Sequence, residues 1–301
     1  MQILFKLILL VNLTSVFFLP GCKNNKSIPA EQREILIRCD DAGMNHSVNM
    51  ALQKVIIRGI PFSTSLMVTC PWYQEAVEIL KDNPQVSVGV HLTLNAEWKY
   101  YRWGPVAGKN TVPSLVDSLG YFFPSQKLLY DHNPQTAEVK AEIQAQIERA
   151  LGTGLRIDYL DYHMGTAVSR LEWRQLVEEY AKKFNLGISR YLGEQDMPGV
   201  YNIPASEKTD SLISQLPNLS INVVHLLVSH IGLKTPEMDA LKDLNEGGLS
   251  EMGEHRQAEL DALTSKDFIT ALKVNNIKLI TYRELIGQVG LEKRSRPAVE
   301  Y

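Results

Sequence analysis

The chain has 301 residues, enough for one or two domains, and its formal charge of −3 is too near balance for a nucleic-acid-binding surface. Its apolar content, 45%, is that of an ordinary globular protein. Three cysteines do not make a disulfide framework.

Residues 1–20 carry one charge, Lys6, followed by an apolar run from Leu7 to Leu19 broken only by Asn12, Thr14 and Ser15; Gly21-Cys22 comes next. A basic start, a short apolar core and a small residue before the cut describe a secretory signal peptide, and the run is short for a membrane span. Cys22 directly after Gly21 resembles a bacterial lipoprotein signal, in which that cysteine is lipidated. The expected layout is therefore a lipoprotein signal at 1–21, a polar tether at 22–33, one folded domain at 34–290 and a tail at 291–301. The protein would be periplasmic or on the cell surface, touching the membrane only through Cys22; an ordinary secreted protein is the alternative. Cys39 and Cys70 lie in apolar stretches and read as buried free thiols, with a single bridge as the alternative.

Further along, short apolar runs mark strands at 35–39, 63–68, 86–92, 157–162, 187–189, 223–228 and 278–281. Helical patterns lie between them at 47–58, 71–83, 134–152, 172–184 and 265–275. The longest has Val139, Ile143, Ile147 and Leu151 on one stripe. Strands alternating with helices predict an α/β fold with a parallel sheet, and about seven units over ~260 residues suit a (β/α) barrel, TIM-like but distorted or incomplete. A doubly wound open sheet is the competitor, but no strand leads into a dinucleotide-binding glycine pattern. In either fold the working groups lie at the C-terminal strand ends.

The first strand, Ile35-Leu-Ile-Arg-Cys39, stops on two adjacent carboxylates, Asp40 and Asp41, with Gly43 just beyond. Neighbouring strand residues point to opposite faces, but where the chain turns both can reach one cleft. Buried carboxylates need a partner or a cation. His91 and His163 close two further strand candidates in the same way. Asp41, His91 and His163 thus make a one-carboxylate, two-imidazole set for a divalent metal with open positions, which hydrolysis requires. Taken singly, a strand-end histidine is more often a hydrogen-bonded or surface residue, and an Asp-Asp pair more often a turn or cap.

Cys39-Asp-Asp-Ala-Gly43 with Asn45 and Asn49, Gly89-Val-His-Leu-Thr-Leu94, Leu160-Asp-Tyr-His163 and His255-Arg-Gln-Ala-Glu-Leu260, in this order, resemble the YdjC-like carbohydrate deacetylase family. The resemblance implies a distorted (β/α) barrel related to polysaccharide deacetylases, and metal-dependent removal of acetyl groups from N-acetylated sugars. It makes Asp41, His91 and His163 the ligands of one divalent ion, zinc by ligand chemistry or else magnesium. It makes Asp40 the general base, His230 the general acid, and Arg256 a group that orients Asp40 or binds substrate. Asp161 would hold His163 or another site group by hydrogen bond. Two departures stand out: Met164-Gly165-Thr166 follows His163 where the family often has further histidines, and Ile231 replaces proline after His230, which should leave that backbone less restrained.

Two rival functions stay open, a non-catalytic saccharide-binding lipoprotein and another ester or phosphoester hydrolase on the same barrel; a homodimer is compatible with any of the three. Among the other histidines, His46 reads as an exposed helix start, His132 as part of a turn and His225 as a hydrogen-bonded core residue, while His255 can be read either way. The aromatic stretch 95–124, with Trp98, Tyr100, Tyr101, Trp103, Tyr121, Phe122 and Phe123, is either a sugar platform on the barrel rim or an insertion with its own small core. Segment 193–210 is a second rim-loop candidate.

Overall fold

Alternation along the first strand decides which groups enter the barrel. A computed structural model describes residues 32–297; the expected signal at 1–21, Cys22 and nearly all of the tether lie outside the described residues. Strand β1 (Arg33–Ala42) sends Ile35, Ile37 and Cys39 into the layer of surrounding helices, and Leu36, Arg38 and Asp40 toward the opposite face. Behind it come β2 (Ser63–Leu66), β3 (Ser87–Leu92), β4 (Ile157–Tyr162), β5 (Gly187–Ile188), β6 (Gln195–Asp196), β7 (Val224–Ser229) and β8 (Ile277–Ile280). The order is β5-β4-β3-β2-β1-β7-β6, with β8 paired to the start of β1, and every pairing is parallel. Strands β5 and β6 end this path without pairing to each other, so the barrel is incomplete, as expected.

Helices α1 (His46–Arg58), α2 (Tyr73–Lys81), α4 (Thr136–Gly152), α5 (Leu171–Lys183) and α9 (Lys266–Val274) fall where the periodicity placed them. Short α3 (Gln126–Asp131), α6 (Lys208–Gln215), α7 (Pro236–Asp239) and α10 (Tyr282–Val289) complete the set together with α8 (Met252–Thr264). No helix among the described residues is long and apolar enough to cross a membrane.

The barrel interior is small and tightly filled. Leu36, Leu226 and Ile280 pack with Tyr159 and Tyr282, whose rings stack with centroids 4.1 Å apart. Gly89 makes room for them: a Cβ there would meet the Tyr159 ring at 2.4 Å. Both hydroxyls are satisfied, Tyr159 by Ser65 (3.1 Å) and Tyr282 by Ser189 (2.7 Å).

Helix α4 carries two stripes. Val139, Ile143 and Ile147 are fully buried in the main core. Beside them Glu138, Glu142 and Gln146, four residues apart, fasten the long loop after β3. Gln146 accepts from Thr93 N (2.8 Å) and donates to Thr93 O (2.7 Å). Glu142 accepts from Val106 N (2.9 Å) and Ala107 N (2.8 Å), and Glu138 from Ser114 N (2.7 Å). The buried aromatics of that loop join the main core rather than a separate one of their own. Trp98, Trp103, Phe122 and Phe123 are buried, whereas Tyr100 is 68% exposed. Cys39 and Cys70 are buried free thiols.

Candidate active site

The two adjacent acids reach one cleft because β1 is irregular where they stand. The β1–β2 register shifts between Cys39 and Ala42, and Asp41 sits in the left-handed region at φ 65°. A non-glycine residue there costs on the order of 1–3 kcal/mol and persists only where its surroundings fix it. Those surroundings are specific. Gly43 (φ 86°) lies so close to α2 that a Cβ would meet Tyr73 Cα at 2.7 Å. Asn49 accepts from Gly43 N (2.8 Å), and Asn45 caps α1 by accepting from Val48 N (2.9 Å).

Asp41 is fully buried. Its Oδ1 lies 3.4 Å from His91 Nε2 and 3.4 Å from His163 Nδ1, and it has no hydrogen-bond partner among the described residues. An orphaned carboxylate oxygen between two imidazole nitrogens is the arrangement a cation completes. The remaining ring nitrogens are held by carboxylates, His91 Nδ1 by Asp161 (2.7 Å) and His163 Nε2 by Glu97 (2.9 Å). Each carboxylate keeps a proton on the nitrogen it faces and leaves the other nitrogen free to ligate. Asp161 therefore serves His91, not His163. Glu97 had no signal in the sequence beyond following His91 by six residues.

The arginines divide the acids between them. Arg256 donates Nη2 to Asp41 Oδ2 (2.7 Å), so it orients Asp41 rather than Asp40. Arg38 grips Asp40 with Nε (2.6 Å) and Nη2 (2.8 Å) and places Nη1 2.7 Å from Asp161. A charged residue inside an apolar strand was the available clue to Arg38. A second set of potential ligands, Asp40, His91 and Asp161, is thus already neutralised by its guanidinium.

Burial raises Asp41, but Arg256 and the two imidazoles outweigh it and hold the carboxyl well below the usual range. Burial likewise opposes charge on the rings, yet Asp161 and Asp40 push His91 up to about 9, and Glu97 and Asp41 push His163 up to about 10.

Asp40, Asp41, His91, Glu97, His163 and Arg256 line a cavity of about 370 Å³ at the C-terminal strand ends, together with Trp98, Tyr162, Met164, Tyr201, His230 and Asp243. His230, just past β7, places Nε2 4.0 Å from Asp40 Oδ2. Its backbone is better restrained than the loss of proline suggested. Glu259 accepts from His230 N (2.7 Å), Arg256 O from Gly232 N (3.2 Å) and Ser47 O from Leu233 N (3.2 Å). Of the aromatic side chains in stretch 95–124 only Trp98 lines the cavity, and from segment 193–210 only Tyr201 does. His46, His132, His225 and His255 stay outside it. His46 pairs with Glu75 at the surface (2.8 Å), and buried His225 is hydrogen-bonded to Ser220 O (3.1 Å).

Fold and cavity together define a class: an incomplete parallel (β/α) barrel with a carboxylate–imidazole candidate metal centre at the C-terminal ends of its strands. The profile of YdjC-like proteins matches residues 34–274, and the chain belongs to that family. It is 27% identical over 266 residues to a carbohydrate deacetylase of Clostridium beijerinckii, covering 83% of this chain and 99% of that one. It is 29% identical over 258 residues to a carbohydrate deacetylase of Thermoanaerobacter pseudethanolicus, covering 82% and 97%. A solved structure from Enterococcus faecalis V583, a candidate cellobiose-phosphate cleavage protein, superposes with a TM-score of 0.70 at 24% identity, covering 84% of this chain and 99% of that one. That likeness concerns the fold.

Proposed function

We propose that this protein is a metal-dependent carbohydrate deacetylase that removes acetyl groups from N-acetylated saccharides. The observation that carries the reading is Asp41 Oδ1, buried, without a hydrogen-bond partner among the described residues, and 3.4 Å from a nitrogen of each of two histidines. The curated relatives that match nearly end to end are carbohydrate deacetylases, which supports the same chemistry here.

Asp41, His91 and His163 would hold the ion, zinc by its preference for imidazole with one carboxylate, or magnesium. When bound, a divalent ion polarises the acyl oxygen and makes a water acidic enough to attack at neutral pH. The protein does the rest. Asp40, fixed in two-point contact by Arg38, accepts the proton of the attacking water. His230, on the same rim 4.0 Å from Asp40, gives a proton to the departing amine. Arg256 keeps Asp41 ionised and in place. Its Nε and Nη1, Trp98 Nε1 and His230 Nδ1 have no hydrogen-bond partner among the described residues, and all three residues line the cavity in which substrate oxygens would sit. Burial pushes Tyr201 up to about 12, so its hydroxyl stays protonated and can donate as well.

A two-metal phosphoester mechanism has less support, because Arg38 occupies the second acidic set. The reading extends to location: lipidation at Cys22 would tether the catalytic domain outside the inner membrane. Acetate release from N-acetylated oligosaccharides, with zinc, with magnesium and with chelator, tests the function. Metal-dependent release that disappears in Asp40→Asn supports it. Saccharide binding without turnover, in protein shown to hold metal, would replace it with a binding role.

A further inference from the structure

A second charged pair, outside the ligand set, lies beneath the acid side of the cavity. Lys208, at the start of α6, is fully buried. Its ammonium donates to Val200 O (2.6 Å) and Tyr201 O (2.8 Å) and lies 3.4 Å from Glu259 Oε1. Glu259, on α8, is 1% exposed. Its other oxygen accepts from Ser229 Oγ (2.9 Å) and from the backbone N–H of His230 (2.7 Å). The Tyr201 and His230 rings then meet edge to face with centroids 5.1 Å apart.

An isolated lysine is almost never fully buried, since desolvating its charge is costly. Here all the ammonium's partners are either the backbone of the Tyr201 loop or the carboxylate that carries His230. The His230 ring has no such anchor of its own, because Nδ1 is buried without a hydrogen-bond partner among the described residues. Two catalytic-rim segments that are far apart in sequence, 200–201 and 229–230, are thus joined through one ion pair beneath them and one ring contact above, just past the point where the β6–β7 pairing ends at Met197 N to Leu226 O (3.0 Å).

We propose that Lys208 and Glu259 are positioning residues that set the place of His230 relative to Asp40 by locking the Tyr201 loop to the end of β7. Neither belongs to a potential ligand set or lines the cavity. Their effect on rate would run through the orientation of the proton donor, and in that respect the proposal rests on the deacetylase reading.

The test compares Lys208→Met, Lys208→Arg and Glu259→Gln in the full chain by two readouts. The first is the set of imidazole nitrogen NMR signals of the metal-free protein, which needs no activity. Lys208→Met should shift or broaden His230 while leaving His91 and His163 unchanged. The second is steady-state kinetics on an N-acetylated saccharide with saturating zinc. Here kcat should fall about tenfold or more with KM and zinc affinity within about threefold of wild type, the basic limb of the pH profile should move, and Lys208→Arg should recover part of the rate. An unchanged His230 signal in folded Lys208→Met overturns the proposal. So does a parallel loss of zinc affinity, which would mean general collapse of the site. If Lys208→Met does not fold, Glu259→Gln decides, since the amide oxygen can still accept from His230 N while the charge that holds Lys208 is gone: a shifted His230 signal supports the proposal and a wild-type signal overturns it. If wild-type protein shows no acetate release, the NMR arm still judges the positioning role, and only the deacetylase reading fails.

Discussion

Glu97 accepts a hydrogen bond from His163 Nε2 at 2.9 Å, across an interval of 66 residues, and thereby fixes which nitrogen of that ring faces Asp41. Asp161 does the same for His91. Replacing such a carboxylate by its amide leaves all three ligands present but less basic and less well aimed. Glu97→Gln and Asp161→Asn should each weaken metal affinity by about 10–100-fold, measured by competition with a chromogenic chelator, and activity should return at higher metal concentration. Unchanged affinity in both variants would remove the carboxylates from the metal argument.

The adjacent acids should separate cleanly. Asp40→Asn is expected to bind metal as wild type does and to lose about 10²–10⁴ in kcat, the range for a positioned base. Asp41→Asn should lose metal as well as activity, and it leaves Arg256 buried without its carboxylate partner. Equal metal loss in the two variants would contradict the division of roles drawn from the Arg38 and Arg256 contacts.

Metal uptake should release protons. In the metal-free protein His91 and His163 are raised to about 9 and about 10, so near pH 7 each ring carries both protons, and the ligating nitrogen of each must give one up. Calorimetry in buffers of different ionisation enthalpy should show about two protons released per ion near pH 7, with affinity rising as pH rises toward 9. The metal-free fold has the opposite sign. Folded values above the unfolded value of about 6.5 stabilise it fully below that pH, and this stability is lost as pH climbs through 9 to 10. Thermal unfolding of chelated protein between pH 6 and 10.5 should show a falling Tm across that window; a flat profile would contradict it.

Burial raises both thiols, Cys39 and Cys70. Neither should react with a disulfide reagent at pH 8 in the native state, and both should react in denaturant. Rapid labelling of folded protein would show that the barrel opens locally.

Gly89→Ala drives a methyl into the Tyr159 ring, with contacts of 2.4 to 2.7 Å. Overpacking of this kind costs about 1–3 kcal/mol, read as a lower denaturation midpoint at unchanged m-value. A neutral result would show that the Tyr159–Tyr282 stack can move.

How much the sequence disclosed depended on whether a residue's role was written in its own neighbourhood. Strand ends were legible because an apolar run that stops on Asp40, His91 or His163 announces both the strand and its working tip. That both acids reach one cleft was expected from the turn at the strand end, but the left-handed Asp41 that achieves it was not, because it depends on Gly43 packing under Tyr73, thirty residues away. Glu97 lies in an irregular loop and gave no periodic signal. Helix α8 buries Arg256 and Glu259 beside Leu260 and Leu263, so its inner face is half polar and the usual apolar stripe is weak. Two-residue β6 is too short to show any alternation, and which site group Asp161 holds stayed open between His163 and another because register, which sets His91 opposite Asp161, is a property of two strands at once.

The pairing of β8 with the start of β1 sets a boundary on where this domain can be shortened. The family match ends at residue 274, ahead of β8 and α10. A chain cut there would bare the first half of β1 along the edge that Ile277–Ile280 occupies. It would also remove Tyr282, whose hydroxyl meets Ser189 Oγ at 2.7 Å, and that same oxygen accepts from Arg38 Nη1 at 2.6 Å. The last twenty or so described residues thus reach Asp40 through two hydroxyls and one guanidinium. A fragment trimmed to the matched span would be expected to lose the setting of its base along with its final strand.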